Sequence, residues 1–362
     1  MERARPSVVS RLQHVRGAPA VSLLAPVDRH RPGNAEDPLR LRGLVEEARR
    51  RLSEDYAPGV ARALADRLAA AVDRVDLRDP PDGVAVYVTM DRSTSLRLPF
   101  PVRERVVVDE TFVTRDLVLG FQRRPRYRVL VLGERRSRLF EGVVDRLEEW
   151  HEEGFPSVAP GAAGEPLPSG GYPQHTSQAD EQYRQRFRRV DEALRAISRD
   201  DPLPLVVVGV ERDLAFFDEV TGVGDLVAGR VAGNHEESTA HEVAAVAWVV
   251  MADHEARRRA AAVAELVDAV GRGRAVTGTD EVWTCAREGR GHRLLVEEDL
   301  VELPNREVDG RLEPAVDVDA PGVMDDVVDE IVEAVLAQGG EVTFVEPEAL
   351  ADQGRIGLLL RY

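Results

Sequence analysis

Lysine is absent from the sequence, and all 48 fixed cations are arginine. A Walker A loop requires lysine, and the glycine-containing stretches GVGDLVAG and GRGRAVTG do not follow strands with the required spacing, so nucleotide binding through such a loop is excluded. Guanidinium groups suit phosphate and stacking contacts. A single cysteine, Cys285, rules out an internal disulfide. The longest apolar run, VAAVAWVVMA from Val243 to Ala252, falls well short of the roughly 20 residues that span a bilayer. The opening MERARPSVVS carries positive charge with no apolar stretch of signal-peptide length behind it, so the expected address is cytoplasmic, with no membrane partner.

With 362 residues the chain exceeds one ordinary core, and 43% hydrophobic with 31% charged residues indicates a globular, multidomain protein. Its net charge of −17 argues against a general nucleic-acid coat, but the charge is unevenly spread. From Val296 to Tyr362 there are 18 Asp and Glu against 4 Arg, so most of the excess lies in that segment. By contrast RRPRYRVLVLGERRSR, Arg123 to Arg138, holds seven arginines and one glutamate and is expected to form a local basic patch.

Hydrophobic period and turn residues predict an α/β organisation. The first segment has a strand at Ala20–Val27, helices at Pro38–Ser53 and Ala57–Arg74, and a returning strand in PDGVAVYVTM. A new domain starts near residue 125 with two short strands around a turn at Gly133 to Ser137. Five prolines and five glycines between Gly154 and Pro173 predict a long exposed loop. In the helix that follows, Tyr183, Phe187, Val190, Leu194 and Ile197 fall within about 80° of one another at roughly 100° per residue, making a buried face. Arg184, Arg188, Arg195 and Arg199 form a stripe on the exposed side. PLPLVVVGV reads as a buried strand, and a long helix runs from about Ser238 to Val270. The last third alternates helix and strand as an α/β/α layer, with a polar loop from Asn305 to Pro321 and a helix from Met324 to Gln338 stopped by Gly339 and Gly340. The expected domains are 1–124, 125–254 and 255–362.

Candidate chemistry is sparse. In HEESTAHE, His235 and His241 are six residues apart, about 240° around a helix, which points to a solvated helix start; no metal site and no cofactor are expected. Cys285 sits in an apolar helix pattern and reads as a small buried hydrophobe. No carboxylate pair is nominated. In PSGGYPQHTSQADEQYRQRF, Gly170 and Gly171 allow close approach of backbone to a ligand, and the Gln174 side chain can position a water or oxyanion, with His175 alongside.

VTGTDEVWTCAREGRGHRLLVEEDL, Val276 to Leu300, resembles the start of the C-terminal domain of the archaeo-eukaryotic class-1 release factors and Pelota. Gly278, Glu281, Val282 and Gly289 fit the family's pattern, with Cys285 in place of its alanine; IVEAVLAQGGEVTFVEP and the closing GRIGLLLRY are similar to the family's terminal helix and strands. The resemblance implies three domains: an N-terminal α/β domain, a central RNase H-like domain, and a C-terminal α/β/α domain of release-factor type. It places Gly170 and Gly171 at the first two positions of a Gly-Gly-Gln loop whose third position is Tyr172, so the loop of 154–175 is degenerate. Bacterial members that include a hibernation factor also lack an intact Gly-Gly-Gln. The first 120 or so residues lack the family's NIKS stop-codon motif.

The function so implied is a monomeric factor that occupies the A site of vacant or stalled ribosomes, in hibernation or rescue, without peptide release. Gly170, Gly171, Gln174, His175, Arg184, Arg188 and Arg195 would contact ribosomal RNA, and a translational GTPase would dock on the C-terminal domain. Two alternatives stand beside it: a peptidyl-tRNA hydrolase using Gln174, and an adaptor that no longer binds ribosomes.

Overall fold

A computed structural model describes residues 2–3, 6–13, 15, 19–158, 175–301, 305–308, 311–315, 323–324 and 326–362. The fold is mixed α/β, as expected. Segments 1–123 and 261–362 together form one compact unit, and segment 124–260 forms another.

The first segment comprises β1 (Glu2–Arg3), α1 (Pro6–Gln13), β2 (Ala20–Pro26), α2 (Glu36–Asp55), α3 (Pro58–Val72), β3 (Gly83–Val88), β4 (Ser93–Leu98), β5 (Arg105–Asp109) and α4 (Arg115–Arg123). Its sheet has the order β1-β4-β3-β2-β5. Successive strand residues point to opposite faces. Val21, Leu23 and Ala25 of β2 therefore enter a core with α2 and α3, whereas Ala20 and Leu24 enter a second core with Val8, Val9 and Leu12 of α1 and Leu117 of α4. Helix α2 starts two residues before the expected Pro38. Asn34 Oδ1 accepts from the amides of Glu36 and Asp37, and a proline in the first turn forfeits no intrahelical bond.

The middle unit contains β6 (Arg126–Val131), β7 (Arg136–Val143), β8 (Arg146–Trp150), β9 (Ser157–Val158), α5 (His175–Asp200), β10 (Leu205–Gly209), α6 (Glu211–Val220), β11 (Val227–Ala232) and the start of α7 (Ala240–Gly271). Strands run in the order β11-β10-β6-β7-β8; β11, β10 and β6 are parallel, and β7 and β8 antiparallel to their neighbours. Leu205 and Val207 of β10 face α5 and α6, and Val206 and Val208 face α7. Coverage of both faces explains the β-branched run in β10.

The expected basic patch at Arg123–Arg138 is corrected by strand register. Arg128 lies directly across from Glu141 on β7, its Nε 3.0 Å from Glu141 Oε2, and is 2% exposed. Arg126 pairs with Glu141 and Asp201. Arg138 binds Glu149 through two nitrogens at 2.9 and 2.6 Å and lies over the Phe140 ring. Arg123 and Arg136 pair with Glu298 and Glu237, so five of the seven arginines are engaged by cross-strand and neighbouring carboxylates.

The last segment adds β12 (Ala275–Thr277), α8 (Thr279–Arg287), β13 (Gly291–Glu297), β14 (Asn305–Val308), β15 (Arg311–Pro314), β16 (Val323–Met324), α9 (Val327–Ala337), β17 (Glu341–Val345) and β18 (Ile356–Leu360). Sheet β12-β18-β13-β17 carries α8 and α9 on one face and the C-terminal part of α7 on the other, the latter through Leu266 against Leu295 and Leu359. Gly339 ends α9 at φ 72°, and the Gly340 amide donates to Val335 O at 2.9 Å, as a glycine stop requires. The polar loop expected over Asn305–Pro321 instead contributes β14 and β15, which pair antiparallel and join β16 in a small sheet. Within the same compact unit, α4 packs on this segment: Val118 and Leu119 border the core of α8 and α9, and Gln122 Oε1 accepts from the Phe344 amide on edge strand β17 at 2.8 Å.

Candidate functional site

Helix α5 carries most of the residues singled out by sequence. Phe187, Val190, Leu194 and Ile197 are buried against the sheet and α6, as the 3.6-residue period requires. Tyr183 sits at the edge of this core, stacked on Phe216 of α6 at 5.6 Å between centroids and 13° between planes. His175 is the first residue of the helix. Gly170, Gly171 and Gln174 lie outside the described residues.

The arginine stripe divides into three environments. Arg184 Nε lies 2.7 Å from Glu219 Oε2, its guanidinium sits over the Phe216 ring at 5.1 Å, and the Glu219 hydrogen bond raises its pKa above the ordinary arginine value. Arg188 Nη1 is 2.9 Å from Glu181 Oε1. In both pairs each partner is solvent-accessible. Such exposed pairs are worth little and exchange readily for another anion. Arg195 differs, because its partner Asp191 is 4% exposed and also accepts from Thr221 Oγ1 and the Gly222 amide. The Arg195 guanidinium lies where a Cβ at Gly222 would stand, so a side chain there would have to displace it. Arg195 therefore braces the loop after α6. Arg199, and Arg189 beside the stripe, are exposed with no ionic partner among the described residues.

Sequence reasoning missed Arg212 on α6. Its guanidinium lies over Tyr183 at 4.5 Å and Phe216 at 5.5 Å, and Nη2 is 3.0 Å from Asp180 Oδ1. Arg184 and Arg212 consequently flank one aromatic pair. Arg212 is far from the stripe in sequence, and only the packing of α6 on α5 brings it there.

Two buried charges fix the adjoining β6–β7 turn. Glu236 accepts from the amides of Glu134, Arg135 and Arg136 at 3.0, 2.8 and 2.9 Å. Arg186 donates to the carbonyls of Gly133 and Glu134. Burial lowers the Arg186 pKa and raises that of nearby Asp213. Glu236 thus turns inward, which corrects the expectation that the whole of HEESTAHE is solvated; Thr239 and Glu242 form a reciprocal cap at the start of α7.

Elsewhere, burial raises the Cys285 thiol pKa inside the α8–α9 core, consistent with a packed side chain and not an activated nucleophile. Among the described residues no group of His, Cys, Asp and Glu is arranged to hold a metal ion, and no helix is long and apolar enough to cross a membrane. What α5 and α6 offer is an aromatic-backed row of cations with replaceable counter-ions.

Residues 126–290 match the model of the bacterial archaeo-eukaryotic release factor family 3. The match covers a little under half of the chain, and over that segment the chain is similar to this bacterial release-factor family. No curated protein matches the chain. Similar solved structures include the archaeal translation termination factor aRF1, at 16% identity with a TM-score of 0.25, covering 98% of this chain and 96% of that one. Another is a model of ribosome-bound archaeal Pelota with ABCE1, at 11% identity and a TM-score of 0.43, covering 100% and 95%. A third is S. cerevisiae Dom34, at 12% identity and a TM-score of 0.40, covering 77% and 79%. Scores of this size decide nothing about this chain; the family match is what bears on it.

Proposed function

We propose that the protein is a ribosome-associated translation factor that occupies the A site of vacant or stalled ribosomes, acting in hibernation or rescue without releasing peptide. The family match over residues 126–290, which spans both the degenerate Gly-Gly-Tyr loop and α5, carries this reading. In it the chain has three domains, the central one RNase H-like. Gly170, Gly171, Gln174 and His175 approach the peptidyl-transferase centre, while Arg184 and Arg188 exchange Glu219 and Glu181 for RNA phosphates. Arg195 holds the loop that keeps this face in shape and makes a lesser contact. Each phosphate contact adds salt-dependent affinity. The acidic C-terminal segment is the docking surface for a translational GTPase.

Tyr172 occupies the position at which the resemblance calls for glutamine, and this is why hydrolysis is left out of the reading. The test is co-sedimentation of purified protein with vacant and with peptidyl-tRNA-loaded ribosomes, with peptide release measured on the same samples. Salt-sensitive binding without release is the expected result. Release that disappears in Gln174→Ala would replace it with a hydrolase, and absence of binding at low salt would leave an adaptor.

A further inference from the structure

Where α4 packs on α9, the compact unit of segments 1–123 and 261–362 contains a buried cluster of opposed charges. Asp326 caps α9, its side chain accepting from the Asp329 amide. The Arg115 guanidinium reaches both Asp326 oxygens, at 3.2 and 3.0 Å, and donates to Leu300 O at 2.6 Å. The Arg115 amide donates to Asp329 Oδ1 at 3.0 Å, and Asp329 is 5% exposed. Arg105 of β5 pairs with Asp116 of α4 and lies 3.9 Å from Asp326. About two turns along α4 from this cluster, Gln122 ties the helix to the edge of β17.

We propose that this cluster is a latch: while the buried Asp329 carboxyl is uncharged, α4 stays docked on α9 and β17, and charging of Asp329 loosens the contact. Asp329 is buried near the Asp326 carboxylate, which Arg115 already pairs, so ionising Asp329 costs free energy through both burial and like charge. The groups facing Asp329 are Arg105 on β5, Arg115 and Asp116 on α4, Tyr87 on β3, and Asp326, Glu330 and Glu333 on α9 itself. Burial, with Asp326 and Glu330 adding to it against Arg105, pushes the Asp329 pKa up from 3.8 to about 8. In the undocked form Asp329 faces water and ionises near its ordinary value. The docked form therefore binds one more proton between about pH 4 and pH 8, so docking weakens as pH rises through that window and levels off above it. Opening frees the Phe344 amide and the β17 edge, which makes the transition readable without a ligand.

The test is amide hydrogen exchange of the full chain, corrected for the pH dependence of intrinsic exchange, followed in peptides covering residues 115–123 and 341–345. From pH 5.5 to 7.5 the protection of both peptides is expected to fall together by about a hundredfold, one decade per pH unit for one proton. Asp329→Asn keeps an acceptor for the Arg115 amide but cannot titrate, and should flatten that dependence. Gln122→Ala should lower protection by a constant factor at every pH and keep the slope. A flat wild-type profile, or an Asp329→Asn profile as steep as the wild type, overturns the latch. If Asp329→Asn does not fold, the Gln122→Ala slope decides: a retained slope supports the latch and a flat one overturns it.

Discussion

Arginine does two different jobs in this protein, and the α4–α9 contact and the outer face of α5 show them side by side. At α4, Arg115 is nearly buried, with its guanidinium divided between Asp326 and a backbone carbonyl. On α5, Arg184 and Arg188 lie at the surface against exposed glutamates. The first kind of ion pair cannot be broken without stranding a charge away from water, whereas the second competes with solvent and salt at every moment. The difference lies in what surrounds the carboxylate, and it separates arginines that hold the fold from arginines free to bind something else.

Breaking the buried pair should have the largest effect. Arg115→Met removes the closer of the two arginines on Asp326, leaving Arg105 at 3.9 Å, and a loss of about 3 kcal/mol in unfolding free energy is expected for the unit of segments 1–123 and 261–362; chemical denaturation checks it, and a loss below about 1 kcal/mol would show the pair to be dispensable. Arg195→Ala comes next. It leaves the buried Asp191 with two hydrogen bonds in place of three partners, and should cost about 1 kcal/mol, with faster hydrogen exchange at Thr221 and Gly222. Glu149→Gln weakens the charged pair with Arg138. Because that pair holds the Glu149 pKa below its ordinary value, chiefly through the Arg138 hydrogen bond, its stabilisation is present above the unfolded pKa and lost as pH falls through the folded one. The variant should therefore show a shallower fall in melting temperature below about pH 4.5. Smallest of all, Arg184→Ala should leave the melting temperature unchanged within error while altering only what the surface binds.

How much of this could be read in the sequence follows the same division. Periodicity exposed the buried face of α5, the length of α7 and the glycine stop of α9, because each is a local pattern repeated along one element. The environments of the arginines are set by register and packing between elements. Nothing in RRPRYRVLVLG says that Arg128 will stand opposite Glu141, and Arg212 reaches Tyr183 only because α6 lies on α5. Strands β14 and β15 escaped for another reason: their residues are mostly polar and lack apolar alternation, although the Asp309-Gly310 dipeptide between them in the sequence is a hairpin signal. Of the candidate site, the arginine helix is in place, and Gly170, Gly171 and Gln174 lie outside the described residues.

The most direct test of the central claim is the salt dependence of ribosome binding, measured by co-sedimentation for the wild type and for the double variant Arg184→Glu/Arg188→Glu, with melting temperature as the control for folding. If these two arginines trade carboxylates for RNA phosphates, the double variant should bind more weakly at low salt, and its plot of log affinity against log salt should be shallower by about 1.5 to 2. Equal affinity and equal slope in a folded double variant would contradict the assignment of this face to RNA.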